Sequence, residues 1–545
     1  MDGVHPGLPV YRDNDSYTYF REWGTGLLVG GFEAQAKPIW TSGVPQDFAF
    51  SLLPDDQEHF VEQIWEGAQH RIPSLEHATI NSWVNGPESF TPDNQYILGE
   101  APECSGFFVA AGFNSAGIAN AAGAGILTAE WMTSGHPNRD VWGVDIRRFA
   151  PFHANAIFLR DRCAEVLGLH YQMPWPRREL ASARGLRRTP LYDEHRSKGA
   201  VFGQKFGWER VNYFVEGEEA RAAAAVPTVA TPPNWLRHAK QEHLHTRTAV
   251  SLFDVSSFAK IHVSGADAHA LLQRVCCANM EMDVAGSAPS AAASRIVYTG
   301  MLNAHAAGYE ADVTVSRVAR DRYLIVSPTA QATRDVDHLR RHVPAGAAVT
   351  IDDVSSSYSV LALMGPHSRD LLRRLVVHPA DLDNEAFPFG TSRALDVGHV
   401  AARVARVTYV GELGYEFYVS PDQARSLYES LYAAAAGSWD EVGDGQGGDA
   451  IDLRDGGYYA IDSLRLEAGY RAWGHELGVS DTPLDAGLSF TVDWSKGDFL
   501  GRDALLALKE EPTRRTSRLV ILHVADEATP LWGSEPILRN GTVVG

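Results

Sequence analysis

Three motifs that combine carboxylates with glycine turns or a helix constrain this chain more than any other feature. They occupy residues 301–312, 409–416 and 462–469. The first two place a carboxylate beside a glycine turn, and the third places carboxylates on a predicted helix. An ionised carboxylate accepts hydrogen bonds in pairs, so such a set suits a ligand that presents amino and ring N–H donors. We interpret the three motifs as parts of one binding site.

The length of the chain requires several domains. A chain of 545 residues is too long for one hydrophobic core, and domains of about 150 residues are the usual size. Its 45% hydrophobic and 21% charged residues are typical of a globular protein. The formal net charge of −20 would repel phosphate backbones. The composition therefore argues against nucleic acid as a partner.

The cysteines and the apolar stretches indicate a soluble intracellular protein without a metal site. Four cysteines without a CxxC pair are too few for a disulfide framework, which favours a reducing compartment. Cys276 and Cys277 end an apolar helical pattern at 268–275, so we predict that they lie in a core. The N-terminus has no signal-peptide pattern, and the most apolar stretch, 107–127, contains several polar residues. We predict no transmembrane helix.

The opening of the chain alternates between strand and helix patterns. Residues 17–32 predict antiparallel strands around a turn at 24–26. Residues 55–72 predict a helix, and 78–84 predict another strand. This part of the chain therefore has an α+β pattern.

A strand, a tight turn and a helix of small residues follow at 107–132. Residues 107–111 predict a short buried strand, 112–115 a turn, and 117–132 a helix almost free of large side chains in its first half. The N-terminus of such a helix favours negative charge, which a reduced flavin carries at its pyrimidine edge. A helix merely packed closely on a sheet explains the same pattern. The candidate flavin-binding residues are Gly112, Asn114, Ser115 and Gly117.

The segments 87–93, 99–102 and 112–117 resemble the last part of the flavin domain in the sarcosine and dimethylglycine dehydrogenase family. Parts of 141–214 resemble the connecting domain of the same family. Residues 216–233, rich in Ala, Pro and Glu without periodicity, predict a linker. The resemblance implies FAD as a cofactor.

The three carboxylate motifs resemble the aminomethyltransferase of the glycine cleavage system and, more closely, the folate-binding half of this dehydrogenase family. The resemblance implies a tetrahydrofolate site in which Asp312 orients or protonates the reacting amine. It implies that Tyr409 and Glu416 bind the pterin, with Arg465 as a further candidate. Arg465 and Glu467 are two residues apart on one helix and face different ways, so at most one lines the pocket. A turn-end carboxylate at Asp312 and a plain hairpin at 409–416 are the structural alternatives.

The segment 303–308 departs from the family pattern. It carries one extra residue, and it has Ala-Ala where the family often has Gly-Gly. Alanine resists positive φ angles that glycine adopts readily. This departure bears directly on where Asp312 lies.

The resemblance implies an α+β multidomain fold with four parts. No GxGxxG motif follows a strand near the start, so the Rossmann start of the FAD domain is missing and the chain looks truncated at both ends. The acidic segment 440–457 predicts a solvated loop, while 519–522 predicts a strand and Asn540-Gly541 a hairpin turn. The predicted parts are a C-terminal piece of an FAD-dependent oxidoreductase domain at 1–135, a connecting domain at 136–232, an aminomethyltransferase-like folate-binding domain at 240–512 and a truncated C-terminal β-barrel at 513–545.

The resemblance implies FAD-dependent oxidative demethylation of sarcosine- or dimethylglycine-type methylamines, with one-carbon transfer to tetrahydrofolate. The alternative is a non-catalytic scaffold like the regulatory subunit of pyruvate dehydrogenase phosphatase, with that enzyme's catalytic subunit as partner. A stand-alone methylamine-to-folate transferase is disfavoured because Ile461 replaces an arginine usual in glycine-cleavage enzymes. The expected compartment is the mitochondrial matrix in a eukaryote and the cytoplasm in a bacterium.

Overall fold

The computed structural model describes residues 3–49, 51–225, 232–282, 293–439, 449–515, 517–526, 529, 531 and 533–545. The chain forms two compact units, Met1–Arg184 and Gly185–Gly545. Within the described residues no helix is both long enough and apolar enough to cross a membrane. The same residues include no group of three or more His, Cys, Asp or Glu side chains placed to hold a metal ion.

The first unit opens with a three-stranded antiparallel sheet and a helical segment. The strands are β1 (Tyr11–Asp13), β2 (Thr18–Trp23) and β3 (Gly26–Gly31), paired in that order. The helical segment runs through α1 (Gln57–Phe60), a π-turn (Val61–Trp65) and α2 (Glu66–Arg71). These elements confirm the predictions for 17–32 and 55–72. The predicted strand at 78–84 is wrong, because no strand among the described residues pairs with this segment and Val84 is 77% exposed.

The second half of this unit is built around one hairpin and one long helix. Strand β4 (Ile97–Glu100) pairs antiparallel with β5 (Phe108–Ala111), and α3 (Gly117–Ser134) and α4 (Ala156–Leu169) follow. Leu98, Ala124 and Trp131 form the core between hairpin and helix. The predicted strand at 107–111 and helix at 117–132 are therefore present. The strand is not buried, however, since Ala110 and Ala111 are exposed.

The second unit begins with a hairpin flanked by helices. Its first elements are α5 (Tyr192–Ser197), β6 (Ala200–Lys205), β7 (Trp208–Phe214), α6 (Glu218–Ala225) and α7 (Leu236–Thr248). The linker predicted at 216–233 is wrong for 218–225, because helix α6 packs its buried Ala224 against Tyr213 and Val215. Residues 226–231 of that segment lie outside the described residues.

An eleven-stranded sheet dominates the second unit. Its order is β13-β9-β12-β11-β10-β15-β16-β17-β14-β8-β18, antiparallel except for the parallel pair β18–β8. The strands are β8 (Val250–Asp254), β9 (Ala259–Ser264), β10 (Ala293–Leu302), β11 (Tyr309–Ala319), β12 (Arg322–Ser327), β13 (Thr350–Asp353), β14 (Ser359–Met364), β15 (Thr391–Val397), β16 (Val400–Arg406), β17 (Gly414–Val419) and β18 (Leu453–Gly456). The helices are α8 (Ala268–Val275), α9 (Ala332–Arg341), α10 (Ser368–Arg373), α11 (Ala424–Ala435), α12 (Tyr458–Glu467) and α13 (Arg502–Glu510).

Side chains that alternate along the strands give this sheet two different faces. On one, which we call the outer face, two apolar clusters include residues of α8 and α9 and of α10 and α11. On the other, which we call the inner face, a third cluster joins Leu324, Ala362 and Tyr418 to helix α12. Because strand residues alternate between faces, neighbours in sequence belong to opposite sides. This alternation decides which polar side chains lie on the same face of the sheet.

Two further predictions concern the core and an acidic loop. Cys276 and Cys277 are completely buried, which confirms that they belong to a core. The solvated loop predicted at 440–457 is wrong for 453–456, which form β18 beside β8. Residues 440–448 of that segment lie outside the described residues.

The last described residues form one short hairpin. Strands β19 (Leu538–Arg539) and β20 (Thr542–Val543) are joined through Asn540 and Gly541, whose φ angles are +53° and +78°. These angles match the turn that Asn-Gly favours, so the hairpin prediction is confirmed. The strand predicted at 519–522 is wrong. Those residues pair with no described strand, and Ile521 is 72% exposed.

Candidate functional site

Asp312 lies within strand β11 and faces the inner side of the sheet. Its sequence neighbours Ala311 and Val313 belong to the outer cluster, so Asp312 points the other way. It is therefore a strand residue and not a turn-end carboxylate. The Tyr298 hydroxyl donates a hydrogen bond to its carboxylate, while Oδ1 is buried without a partner among the described residues.

The proton affinity of Asp312 is unusual. Burial raises the pKa of its carboxyl from 3.8 to about 7, and the hydrogen bond from Tyr298 acts in the opposite direction. A carboxyl group with such a pKa can both accept and donate a proton near neutral pH. Asp312 therefore has the property that a general acid or base requires.

The charge of the Asp312 carboxylate acts on three tyrosines. Burial raises the pKa of Tyr298, Tyr309 and Tyr409, and the negative charge of Asp312 raises each pKa further. Their hydroxyls consequently stay protonated and can donate hydrogen bonds. The Tyr309 hydroxyl is buried without a partner among the described residues. Buried polar groups are normally hydrogen-bonded, so this hydroxyl and Asp312 Oδ1 mark a place for a polar ligand.

Tyr409 is held by the chain that follows helix α12. Its hydroxyl donates to the Arg471 carbonyl at 2.7 Å, and its ring stacks on Tyr470 at a centroid distance of 6.0 Å. The ring belongs to the margin of the inner cluster. Tyr409 is thus positioned to pack against a ligand.

Glu416 lies on the same face as Asp312, on strand β17. Tyr415 and Phe417 beside it belong to the outer cluster, and its cross-strand neighbour Ala362 belongs to the inner one. The Tyr418 hydroxyl donates to Glu416 Oε2 at 2.7 Å. Burial raises the pKa of the Glu416 carboxyl, and this hydrogen bond lowers it. Donors from a ligand would favour the ionised form further.

Arg465 and Glu467 face different ways, as their spacing on the helix predicts. Arg465 is buried and ion-pairs with Glu476. The side chain of Glu467 is 61% exposed and pairs with Arg247. Arg465 also acts electrostatically on Tyr409 by lowering its pKa. A direct contact between Arg465 and folate stays a prediction.

The turn before Asp312 shows how the chain accommodates the departure from the family pattern at 303–308. Ala307 adopts a φ of +59° although it is alanine, and it is completely buried. Asn303 Oδ1 accepts hydrogen bonds at 3.0 Å from the backbone N–H groups of His305 and Ala306. Gly308 lies so close to the Val479 carbonyl that an added Cβ would be 2.1 Å from its oxygen. These contacts hold the turn, and strand β11 begins directly after it.

The loop before helix α3 contains the candidate flavin-binding residues, all in the first unit. Gly112, Asn114 and Ser115 have φ angles of +64°, +49° and +64°. Asn114 Oδ1 accepts from the Thr91 N–H at 2.8 Å, and the Ser115 hydroxyl donates to Glu88 at 2.9 Å. These bonds bring segments 87–93 and 112–117 together.

The N-terminus of α3 fits an anionic or acceptor edge such as that of a flavin. No side chain caps it, since its N-cap residue is Ala116, so the first backbone N–H groups, beginning at Gly117, are available as donors. Because Asn114 and Ser115 already bond within the loop, backbone donors suit a ligand better than these side chains do. Flavin binding by the four candidates stays a prediction.

Sequence reasoning missed Tyr298 and Tyr309. Tyr309 begins strand β11, and Gly300 on β10 stands opposite Asp312. Tyr298, two residues from Gly300, therefore faces the same side of the sheet as Asp312. If the pairing of β10 with β11 is assumed, the alternation of side chains along 293–302 predicts that Tyr298 lies on the face of Asp312.

Comparison with known proteins agrees with this architecture. The family model described as GCVT N-terminal domain matches residues 191–496, more than half of the chain. The chain belongs to this family. Models described as FAD dependent oxidoreductase and FAD dependent oxidoreductase central domain match residues 2–131 and 134–189. The predicted mixed architecture of flavin-oxidoreductase and aminomethyltransferase-like domains is confirmed.

Individual relatives confirm the resemblance to the sarcosine and dimethylglycine dehydrogenases. The chain is 37% identical to 4-methylaminobutanoate oxidase (formaldehyde-forming) of Paenarthrobacter nicotinovorans over 100% of its own length and 62% of the relative. It is 35% identical to the mitochondrial pyruvate dehydrogenase phosphatase regulatory subunit of Mus musculus, over 99% of this chain and 59% of the relative. It is 36% identical to the mitochondrial sarcosine dehydrogenase of Homo sapiens, over 100% of this chain and 60% of the relative. The chain thus spans about three fifths of the length of these relatives.

Proposed function

We propose that the inner face of the second unit binds tetrahydrofolate and transfers a one-carbon unit to it. The observation that supports this most is the buried Asp312 carboxyl, whose pKa of about 7 and partnerless Oδ1 suit proton exchange with a bound amine. Glu416 on the same face suits the amino and ring N–H donors of a pterin. Tyr409 supplies an aromatic wall beside them.

The proposed chemistry at this site is a proton transfer coupled to C–N bond formation. A folate amine attacks an electrophilic one-carbon unit, and its nitrogen must lose a proton as the new C–N bond forms. Asp312 accepts that proton in its ionised form, and the Tyr298 hydrogen bond holds the carboxylate in place. Protonated Asp312 then returns the proton to the nitrogen of the former methylamine, the bond between that nitrogen and the transferred carbon breaks, and the amine leaves. The second folate amine bonds to the same carbon, and the proton that it loses leaves with the product amine. No net charge is left in the site after this cycle.

We propose that the one-carbon unit comes from FAD-dependent oxidation of a sarcosine- or dimethylglycine-type methylamine. Bound FAD would supply a hydride acceptor for the N-methyl carbon. In the first unit the residues that fit it are the uncapped N-terminus of α3 and the loop 112–117. The names of two relatives, a methylaminobutanoate oxidase and a sarcosine dehydrogenase, support a methylated amino acid as the substrate class.

The proposed domain boundaries are 135/136, 232/240 and 512/513, with residues 513–545 assigned to a β-barrel domain. The mitochondrial matrix in a eukaryote, or the cytoplasm in a bacterium, is the proposed compartment, supported by the mitochondrial relatives.

The test combines the chain with FAD, tetrahydrofolate and either sarcosine or 4-methylaminobutanoate. Flavin reduction is followed by absorbance, and methylene-tetrahydrofolate by mass spectrometry. We expect Asp312→Asn to keep flavin reduction but to lose about 100-fold or more of the folate product, since general acid–base catalysis is worth at least that much. The matched control is Asp396→Asn, an exposed carboxylate on β15. Equal product formation by Asp312→Asn and the wild-type chain would refute the role of Asp312.

A non-catalytic scaffold is the second candidate, favoured by the similarity to a phosphatase regulatory subunit. On this proposal the folded chain retains neither flavin nor folate after gel filtration, and it binds the catalytic subunit of pyruvate dehydrogenase phosphatase. Retention of flavin, with bleaching when a methylamine is added, decides for the enzyme.

A further inference from the structure

A cavity in the second unit is lined by residues that the folate proposal does not use. Its volume is about 330 Å³, within the range of small-ligand sites. It is lined by Leu186, Arg187, Arg188, Thr189, Pro190, Trp208, Ser256, Ser356, Tyr358, Ser359 and Pro421. None of these residues is among the candidates for folate or flavin.

Two guanidinium groups line this cavity, those of Arg187 and Arg188. Within the described part of the chain, neither Arg187 nor Arg188 forms an ion pair. Arg187 instead stacks on the Trp208 ring at 4.2 Å and donates to the Ser356 hydroxyl at 3.2 Å. Arg188 lies over the Tyr192 ring at 4.5 Å. Stacking fixes the guanidinium planes while leaving N–H donors available to an anion.

A buried lysine lies behind the cavity wall. Lys260 is completely buried, and its Nζ donates to the carbonyl of Ser256, which lines the cavity. Burial lowers the pKa of Lys260 to about 7, and the charges of Asp254 and Asp353 act in the opposite direction. Asp353 also acts on Arg187. Asp353 is occupied by hydrogen bonds from the N–H and hydroxyl of Ser355. The positive charge of this cavity therefore comes from Arg187 and Arg188, which line it.

We propose that this cavity binds a small organic carboxylate. Two planar guanidiniums offer paired N–H donors that match the two oxygens of a carboxylate. Trp208 and Tyr358 line the cavity with aromatic surface, which suits an apolar or flat carbon body and contributes nothing to a bare inorganic ion. Ser359 and Thr189 also line the cavity, and the Thr189 side chain hydrogen-bonds to Asp254.

The test is calorimetric titration of the full chain with benzoate, its neutral analogue benzamide, and inorganic phosphate. We expect saturable binding of benzoate, no binding of benzamide, and phosphate binding at least about tenfold weaker than benzoate. Arg187→Gln and Arg188→Gln should each weaken benzoate binding about tenfold or more, because each removes charged donors. Arg188 is exposed, so its variant is expected to fold even if Arg187→Gln does not.

The matched control is Arg454→Gln, an arginine whose side chain is 63% exposed and which pairs with Asp452 away from the cavity lining. It should bind benzoate like the wild-type chain. Benzoate binding unchanged in Arg188→Gln overturns the assignment, as does equal binding of benzamide. Binding of phosphate in preference to benzoate overturns the carboxylate class, and failure of all three probes to bind removes the site.

Discussion

At the scale of single residues, the proposed proton transfer depends on the hydrogen bond between Tyr298 and Asp312. Because the Tyr298 hydrogen bond stabilises the carboxylate, it holds the pKa of Asp312 below the value that burial alone would give. Tyr298→Phe removes this bond. We therefore predict that the pKa of Asp312 rises further above about 7, and that the ionised, proton-accepting form appears only at higher pH. The measurement is the pH–rate profile of one-carbon transfer to tetrahydrofolate.

The matched control for that profile is Tyr323→Phe. Tyr323 lies on neighbouring strand β12 but faces the outer cluster, where its hydroxyl contacts His269 at 3.2 Å. Loss of the Tyr323 hydroxyl should leave the pH–rate profile unchanged. A Tyr298→Phe profile that does not move, or that moves to lower pH, contradicts the assigned hydrogen bond.

The buried ion pair between Arg465 and Glu476 gives a second prediction at this scale. Glu476→Gln leaves the Arg465 guanidinium buried without its closest counter-charge, although Asp462 remains 3.9 Å away. We expect the free energy of unfolding to fall by about 2–3 kcal/mol, near the lower limit for broken buried pairs. Urea denaturation measures it. The exposed pair of Arg454 and Asp452 serves as control, since Asp452→Asn should cost less than about 1 kcal/mol.

At the scale of elements, the turn 303–308 sets where strand β11 starts. Gly308→Ala would place a Cβ 2.1 Å from the Val479 carbonyl oxygen, so the backbone must shift. We predict a loss of about 2 kcal/mol or more in the free energy of unfolding, in the range of overpacked sites. Weaker tetrahydrofolate binding should accompany it, because Asp312 follows four residues later.

The control for this glycine is Gly123→Ala in helix α3, where nothing lies within 4 Å of the added carbon. Alanine is the better helix former by about 0.8–1 kcal/mol, so this variant should be as stable as the wild-type chain or more stable. Equal stability of Gly308→Ala and the wild-type chain would show that the turn is not held as described.

The sequence predicted elements well where the signal is local. The Asn540-Gly541 hairpin, the strand–turn–helix at 107–132 and the helix at 268–275 depend on turn chemistry and periodicity, and all three are present. The strands predicted at 78–84 and 519–522 are absent, because a strand also needs a neighbour to pair with. The apolar pattern alone does not reveal whether such a neighbour exists.

At the scale of the whole molecule, the candidate folate site depends on the order of the sheet. Motif resemblance indicated Asp312, Tyr409 and Glu416, but the strands of Asp312 and Glu416 are separated by β10, β15 and β16 in the sheet. The two carboxylates lie on the same inner face. This can be inferred only from the register of the strands and from the burial of the residues beside each carboxylate. Long-range pairing of this kind is not encoded in any short segment. For the same reason Tyr298, whose role depends on pairing between β10 and β11, was missed.

Calorimetric titration of the full chain with tetrahydrofolate shows most simply whether the inner face is a working pterin site. We predict saturable binding that Glu416→Gln weakens about tenfold or more, because an amide has one acceptor oxygen where a carboxylate has two and carries no negative charge. Glu429→Gln, an exposed glutamate on α11, should bind like the wild-type chain. Absence of binding by the folded wild-type chain, or equal affinity of Glu416→Gln, would contradict the account.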